Sequence, residues 1–132
     1  MSEAPFEHIA LVGLGLLGSS LAHAIRAHLP ATRVTGYDAD PAVRARASEL
    51  GLAEIAADPV EAVLGAGLVI LCVPVGAMAD AAAALSPGLS PDAIVSDVGS
   101  SKQSVARALA AALPGHTIIP AHPVAGTERP FY

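Results

Sequence analysis

The chain has 132 residues, of which 53% are apolar, 14% charged and only 3% aromatic. One domain with an aliphatic, alanine-rich core follows, and disorder is excluded. The net charge of −5, with Lys102 the single lysine and no basic run, argues against nucleic acid or an anionic membrane as partner.

Two periodicities alternate along the chain. Ile9-Ala10-Leu11-Val12 is a continuous apolar run, as expected of a strand buried on both faces. After a glycine cluster, Leu17, Leu21 and Ile25 recur at helical spacing and predict a helix that buries this stripe and stops at Pro30. Residues 33–37 predict a second strand. Asp40-Pro41 is a helix cap followed by proline at the first helical position, opening a helix to about Leu50. Residues 53–56 form a weak strand, and Asp58-Pro59 repeats the cap for a short helix to about Leu64.

Leu68 to Val73 is the strongest strand signal; Pro74 and Gly76 then turn the chain into an alanine-rich helix ending near Leu85. Residues 94–97 predict a strand, Val105, Leu109 and Leu113 a helix, and residues 117–119 a last strand. The expected fold is a Rossmann-type α/β domain over residues 1–132: a doubly wound parallel sheet of about six strands with helices on both faces. Ligands of such sheets bind beyond the carboxyl ends of the strands, so the chemistry is sought there.

Gly13-Leu14-Gly15-Leu16-Leu17-Gly18 follows the first strand and opens a helix, the context in which this glycine spacing holds a dinucleotide. Gly13 permits the turn, Gly15 lets a pyrophosphate approach, and Gly18 lets the helix pack on the strand. The first-turn N–H groups, around Leu16 and Leu17, then hold the phosphates. Asp38 stands twenty residues beyond Gly18, placed to accept ribose hydroxyls, and with Asp40 it repels a 2′-phosphate. NAD is therefore favoured over NADP. Val73 and Pro74 offer small apolar groups beside the coenzyme. Cys72 reads as a core residue, and as a lone cysteine it excludes a disulfide framework.

The last two strand ends deliver Asp97-Val98-Gly99-Ser100-Ser101-Lys102 and His122-Pro123-Val124-Ala125-Gly126-Thr127-Glu128. A serine pair, a lysine, a histidine and a glutamate thus belong to one edge of the sheet. A helix cap is the other reading of Ser100 or Ser101, and a loop histidine that of His122. No histidine pair has zinc spacing with a third ligand, so no metal is expected. With Tyr37, Tyr132 and Lys102 alone there is no Tyr-x-x-x-Lys pair, which excludes the short-chain dehydrogenase arrangement. The N-terminus has no basic secretory segment, and the longest apolar stretch is broken by Pro74 and Gly76. A cytoplasmic protein without a membrane span is expected.

In these blocks the sequence resembles the nucleotide-binding domain of prephenate and arogenate dehydrogenases. The His122-to-Glu128 block is the most diagnostic. The resemblance implies an enzyme of tyrosine biosynthesis: hydride passes from the carbinol carbon of a cyclohexadienol to NAD, carbon dioxide leaves, and the ring becomes aromatic. It implies that His122 accepts the hydroxyl proton, that Ser100 hydrogen-bonds the histidine and the substrate hydroxyl, and that Glu128 and Lys102 lie on the substrate side. The family continues into a helical domain that forms a homodimer and supplies an arginine for the substrate carboxylate; it is not in these 132 residues, and the sequence departs from the family after Glu128. Two other readings stay open: a non-catalytic dinucleotide-binding module, and a reductase of the hydroxyacid or 6-phosphogluconate dehydrogenase type.

Overall fold

The structure, a computed structural model, describes residues 6–97 and 109–120. Six strands form one sheet: β1 (His8–Val12), β2 (Arg33–Tyr37), β3 (Glu54–Ile55), β4 (Leu68–Leu71), β5 (Ile94–Asp97) and β6 (Thr117–Pro120). Their order is β3-β2-β1-β4-β5-β6, and every neighbouring pair is parallel. The chain builds outward from β1 to β3, returns, and builds outward from β4 on the other side. The carboxyl ends of β1 and β4 therefore flank the point where the winding reverses, and a crevice opens there. The Rossmann-type architecture expected from the sequence is the one observed.

Alternation in β1 sorts the core into two layers. Ala10 and Val12 face one side, with Val69, Leu71 and Val95, beneath α3 (Pro59–Val63) and α4 (Met78–Leu85). Ile9 and Leu11 face the other, with Val34 and Ile70, beneath α1 (Leu16–His28) and α2 (Pro41–Glu49). Both faces are covered, so the central strands carry apolar residues without a polar alternate.

The helix starts follow the caps. Asp40 accepts a hydrogen bond from the Ala42 N–H at 2.9 Å, and Asp58 accepts one from the Val60 N–H at 3.3 Å. Proline occupies the first turn of each helix, where its missing N–H costs nothing. β4 is shorter than the apolar run suggested. The Cys72 N–H still donates to the Val12 carbonyl at 2.7 Å, but pairing ends before Pro74, which has no N–H to give. A short 3-10 turn, Val75–Ala77, then leads into α4.

One expectation is corrected. The buried residues of α1 are Gly18, Ala22 and Ile25, not the Leu17–Leu21–Ile25 stripe. Leu21 is half-buried and Leu17 is 46% exposed. The cause is the close approach of the helix to the turn before it. A Cβ at Gly18 would collide with the Gly13 carbonyl oxygen, so the smallest residues take the inner face and the leucines rotate outward.

A buried polar link lies toward the amino-terminal edge of the sheet. The Thr35 hydroxyl donates to the Ala62 carbonyl at 2.6 Å and lies at hydrogen-bond distance, 2.9 Å, from His8 Nε2. β1, β2 and α3 are joined through it.

Candidate functional site: a coenzyme cleft

The turn after β1 is shaped by its glycines, each for a different reason. Gly13 has φ +103°, and a Cβ there would stand 2.5 Å from the Cys72 carbonyl oxygen; no side chain fits. Its N–H donates to the Tyr37 carbonyl at 2.8 Å, which fastens the turn to the end of β2. Gly18 is excluded from carrying a side chain by the Gly13 carbonyl. Gly15 meets no such obstacle: nothing lies within 4 Å of where its Cβ would be. The absence of a side chain at Gly15 is therefore not required for packing, and it leaves open space in front of the backbone.

Gly15 is also the N-cap of α1, and no side chain satisfies that helix end. An uncapped first turn directs N–H donors and the positive end of the helix dipole into the open space, an arrangement suited to a phosphate. Leu16 is 88% exposed, so the entrance is not sealed by its side chain.

Asp38 closes β2 opposite this loop. Its Oδ2 accepts the Leu14 N–H at 2.8 Å, and its Oδ1 accepts the Asp40 N–H at 2.9 Å. The carboxylate is thus fixed between the glycine loop and the cap of α2. Each carboxylate oxygen has acceptor capacity beyond its one backbone donor, so two neighbouring hydroxyls of a sugar suit it. Behind it, Arg44 Nη1 donates to the Asp38 carbonyl at 2.8 Å, and its guanidinium lies over the Tyr37 ring, 5.6 Å from the centroid.

A cleft of about 490 Å³ runs between these parts, with Gly13 and Gly15 on one wall, Tyr37 and Asp38 on another, and Val73 and Pro74 along the end of β4. Small-molecule sites have this size and this mostly apolar lining with few polar anchors. Cys72 lies along it, and burial pushes its thiol up to about 12, so it presents a neutral, weakly nucleophilic group. The sequence reading of Cys72 as a packing residue agrees with this.

Of the residues singled out for the coenzyme, Gly13, Gly15, Asp38, Val73 and Pro74 line this cleft; Gly18 packs behind Gly13, Asp40 adjoins Asp38, and Leu16 and Leu17 do not line it. Ser100 and Lys102, and His122 and Glu128, lie outside the described residues. The strands that precede them end in register at the same edge, where Asp97 pairs with Pro120. Asp97 is 1% exposed there. Among the described residues no three His, Cys, Asp or Glu side chains gather as a metal site, and no helix is long and apolar enough to cross a membrane.

Sequence reasoning missed the contacts of Arg44. The signal was its position: four residues past the Asp40 cap, its long side chain can reach back to the preceding strand end. It also gave no weight to Asp80, which lines the cleft from the first turn of α4.

Comparison with known proteins gives this geometry a family. Residues 21–130 match the family described as prephenate dehydrogenase, nucleotide-binding domain. The cyclohexadienyl dehydrogenase of Zymomonas mobilis is 50% identical over 125 residues, which are 94% of this chain and 43% of that protein. Among solved structures, the prephenate dehydrogenase of Aquifex aeolicus, in complex with hydroxyphenyl propionate and NAD+, is similar with a TM-score of 0.79 and 30% identity. That match covers 98% of this chain and 44% of that one. The Synechocystis arogenate dehydrogenase is similar with a TM-score of 0.77 and 33% identity, over 92% of this chain and 42% of that one. The chain therefore spans less than half the length of these three relatives, and it belongs to the prephenate dehydrogenase nucleotide-binding domain family.

Proposed function

We propose that the chain is the coenzyme-binding part of an NAD-dependent dehydrogenase that oxidatively decarboxylates prephenate or arogenate in tyrosine biosynthesis. The observation that carries the reading is the Asp38 carboxylate, held by the Leu14 N–H opposite the open backbone of Gly15. That pairing fits a dinucleotide: ribose hydroxyls on the acid, pyrophosphate on the uncapped start of α1, and the nicotinamide end along Val73 and Pro74. The fixed negative charge of Asp38 selects against a 2′-phosphate, so NAD binds at least about tenfold tighter than NADP, a difference of ~1.4 kcal/mol. Bound NAD supplies the hydride acceptor.

The family to which the chain belongs supports assigning the chemistry on the substrate side to the blocks after β5 and β6. His122 accepts the proton of the substrate hydroxyl, a role that suits an imidazole neutral near pH 7. Ser100 orients that histidine and the hydroxyl, and Glu128 and Lys102 serve the substrate side. A further helical domain of the whole protein supplies the cation for the substrate carboxylate and the homodimer contacts. The protein acts on small molecules in the cytoplasm.

The test is turnover by the full-length protein with NAD and either substrate. His122→Asn is expected to lower kcat by roughly 10²–10⁴, the usual worth of a positioned base, with NAD affinity nearly unchanged. The wild-type rate is expected to fall on acidification through about pH 6–7 as the imidazole protonates. A flat profile from pH 5 to 9, or a normal kcat in His122→Asn, overturns the assignment of the base.

A further inference from the structure

Four arginines fall among the described residues, and three are engaged away from the cleft. Arg26 donates to the Gly51 carbonyl, Arg33 pairs with Glu54 at 2.9 Å, and Arg46 lies 3.6 Å from Glu49. Arg44 is different. Its guanidinium is tied to the backbone of the residue that would hold the ribose: Nη1 donates to the Asp38 carbonyl at 2.8 Å. Its face rests on Tyr37, which lines the cleft together with Asp38, although Arg44 itself does not line it.

Two consequences follow from charge and reach. The carbonyl and carboxylate of one residue are separated by a few bonds, so a group bound at the Asp38 carboxylate is also near the Arg44 fork. A guanidinium has five N–H donors, and one contact to a carbonyl with one ring face leaves donors for an anion. While Asp38 is charged, it excludes a phosphate from this place whatever Arg44 offers. Without that charge, the Arg44 fork beside the Asp38 carbonyl is suited to bidentate phosphate contact.

We propose that Arg44 is a second determinant of coenzyme choice: a cation withheld from the cleft on Tyr37 and the Asp38 carbonyl, which becomes the partner of a 2′-phosphate once the Asp38 charge is gone. This rests on the coenzyme reading of the cleft. Asp38 then holds the main charge against NADP, and one substitution at that position lets Arg44 admit the phosphorylated coenzyme.

The experiment is calorimetric titration of NAD and NADP into the full-length protein and three variants: Asp38→Ser, Asp38→Asn, and Asp38→Ser combined with Arg44→Met. Methionine keeps an unbranched side chain beside Tyr37 and removes the guanidinium and its charge. Asp38→Asn keeps the shape of the side chain should serine loosen the loop, and a far-ultraviolet circular dichroism spectrum checks the fold of each. Either single variant is expected to bind NADP at least about tenfold tighter than the wild type does. Adding Arg44→Met is expected to remove that gain while NAD affinity stays within about threefold of Asp38→Ser. A merely structural Arg44 would lower both affinities alike. That result, a double variant that keeps the gain, or the absence of any gain in both single variants, overturns the proposal. A wild-type protein that binds neither dinucleotide overturns the coenzyme reading itself, and the wild-type titration shows this separately.

Discussion

At the scale of single residues, Cys72 and His8, both with protonation shifted by burial, give different messages about function. Cys72 lies beside the coenzyme cleft, but burial holds its thiol near 12, so hardly any thiolate exists at neutral pH. Alkylation by iodoacetamide at pH 8 is therefore expected to be on the order of 10²–10³-fold slower in the folded protein than in urea. Comparable rates would show that Cys72 is accessible and ionised. His8 lies far along the chain from the proposed base, at the start of β1, and its shift concerns stability. Burial lowers its pKa, and the nearby Arg33 lowers it further; the Gly65 backbone and Glu54 act in the other direction by less. A folded pKa below the unfolded one means that the unfolded chain takes up the proton first. Stability from His8 is then complete above about pH 6.5 and declines as the pH falls below it. Thermal unfolding between pH 8 and pH 5 is expected to show a steeper fall in Tm for the wild type than for His8→Gln, which cannot titrate. Equal slopes would assign the acid sensitivity to other groups.

At the scale of elements, the local chemistry of starts and stops was readable, and the direction in which a helix faces was not. Asp40-Pro41 and Asp58-Pro59 announced α2 and α3 because a cap and a preset φ act within three residues. Asp40→Ala removes one such bond and is expected to cost about 1 kcal/mol, read as a shift of the urea midpoint. A midpoint unmoved by that change would mean that water replaces the cap without loss. The α1 stripe was misread for a tertiary reason. Spacing places Leu17, Leu21 and Ile25 together, but the contact of Gly18 with the Gly13 carbonyl decides the rotation, and that contact exists only once the strand and helix are joined. Gly18→Ala introduces a Cβ into that contact and is expected to destabilise the fold by about 1–3 kcal/mol. An alanine variant as stable as the wild type would show that the turn can relax. Arg44 escaped notice for the same reason: its partners, the Tyr37 ring and the Asp38 carbonyl, are defined by how α2 folds back on β2.

At the scale of the whole molecule, the parallel sheet was legible because apolar runs without polar alternates require cover on both faces, and helices between them supply it. Strand order β3-β2-β1-β4-β5-β6 then fixes the crevice at β1 and β4, and the glycine loop and Asp38 fall beside it. The coenzyme side of the site could thus be read from one stretch of chain, residues 13–38, where spacing alone determines proximity. The substrate side was legible only in part: the strand ends assigned Ser100, Lys102, His122 and Glu128 to one edge of the sheet, but their roles came only from resemblance, and they lie outside the described residues. The central claim is that the open backbone at Gly15 receives the pyrophosphate of NAD. It is tested most directly by calorimetric titration of NAD into the protein and its Gly15→Val variant. Nothing lies within 4 Å of a Cβ at Gly15, so the variant is expected to keep the circular dichroism spectrum of the folded wild type and to lose NAD binding below detection. A folded Gly15→Val protein that binds NAD as the wild type does would contradict the account and reduce the glycine loop to a turn between strand and helix.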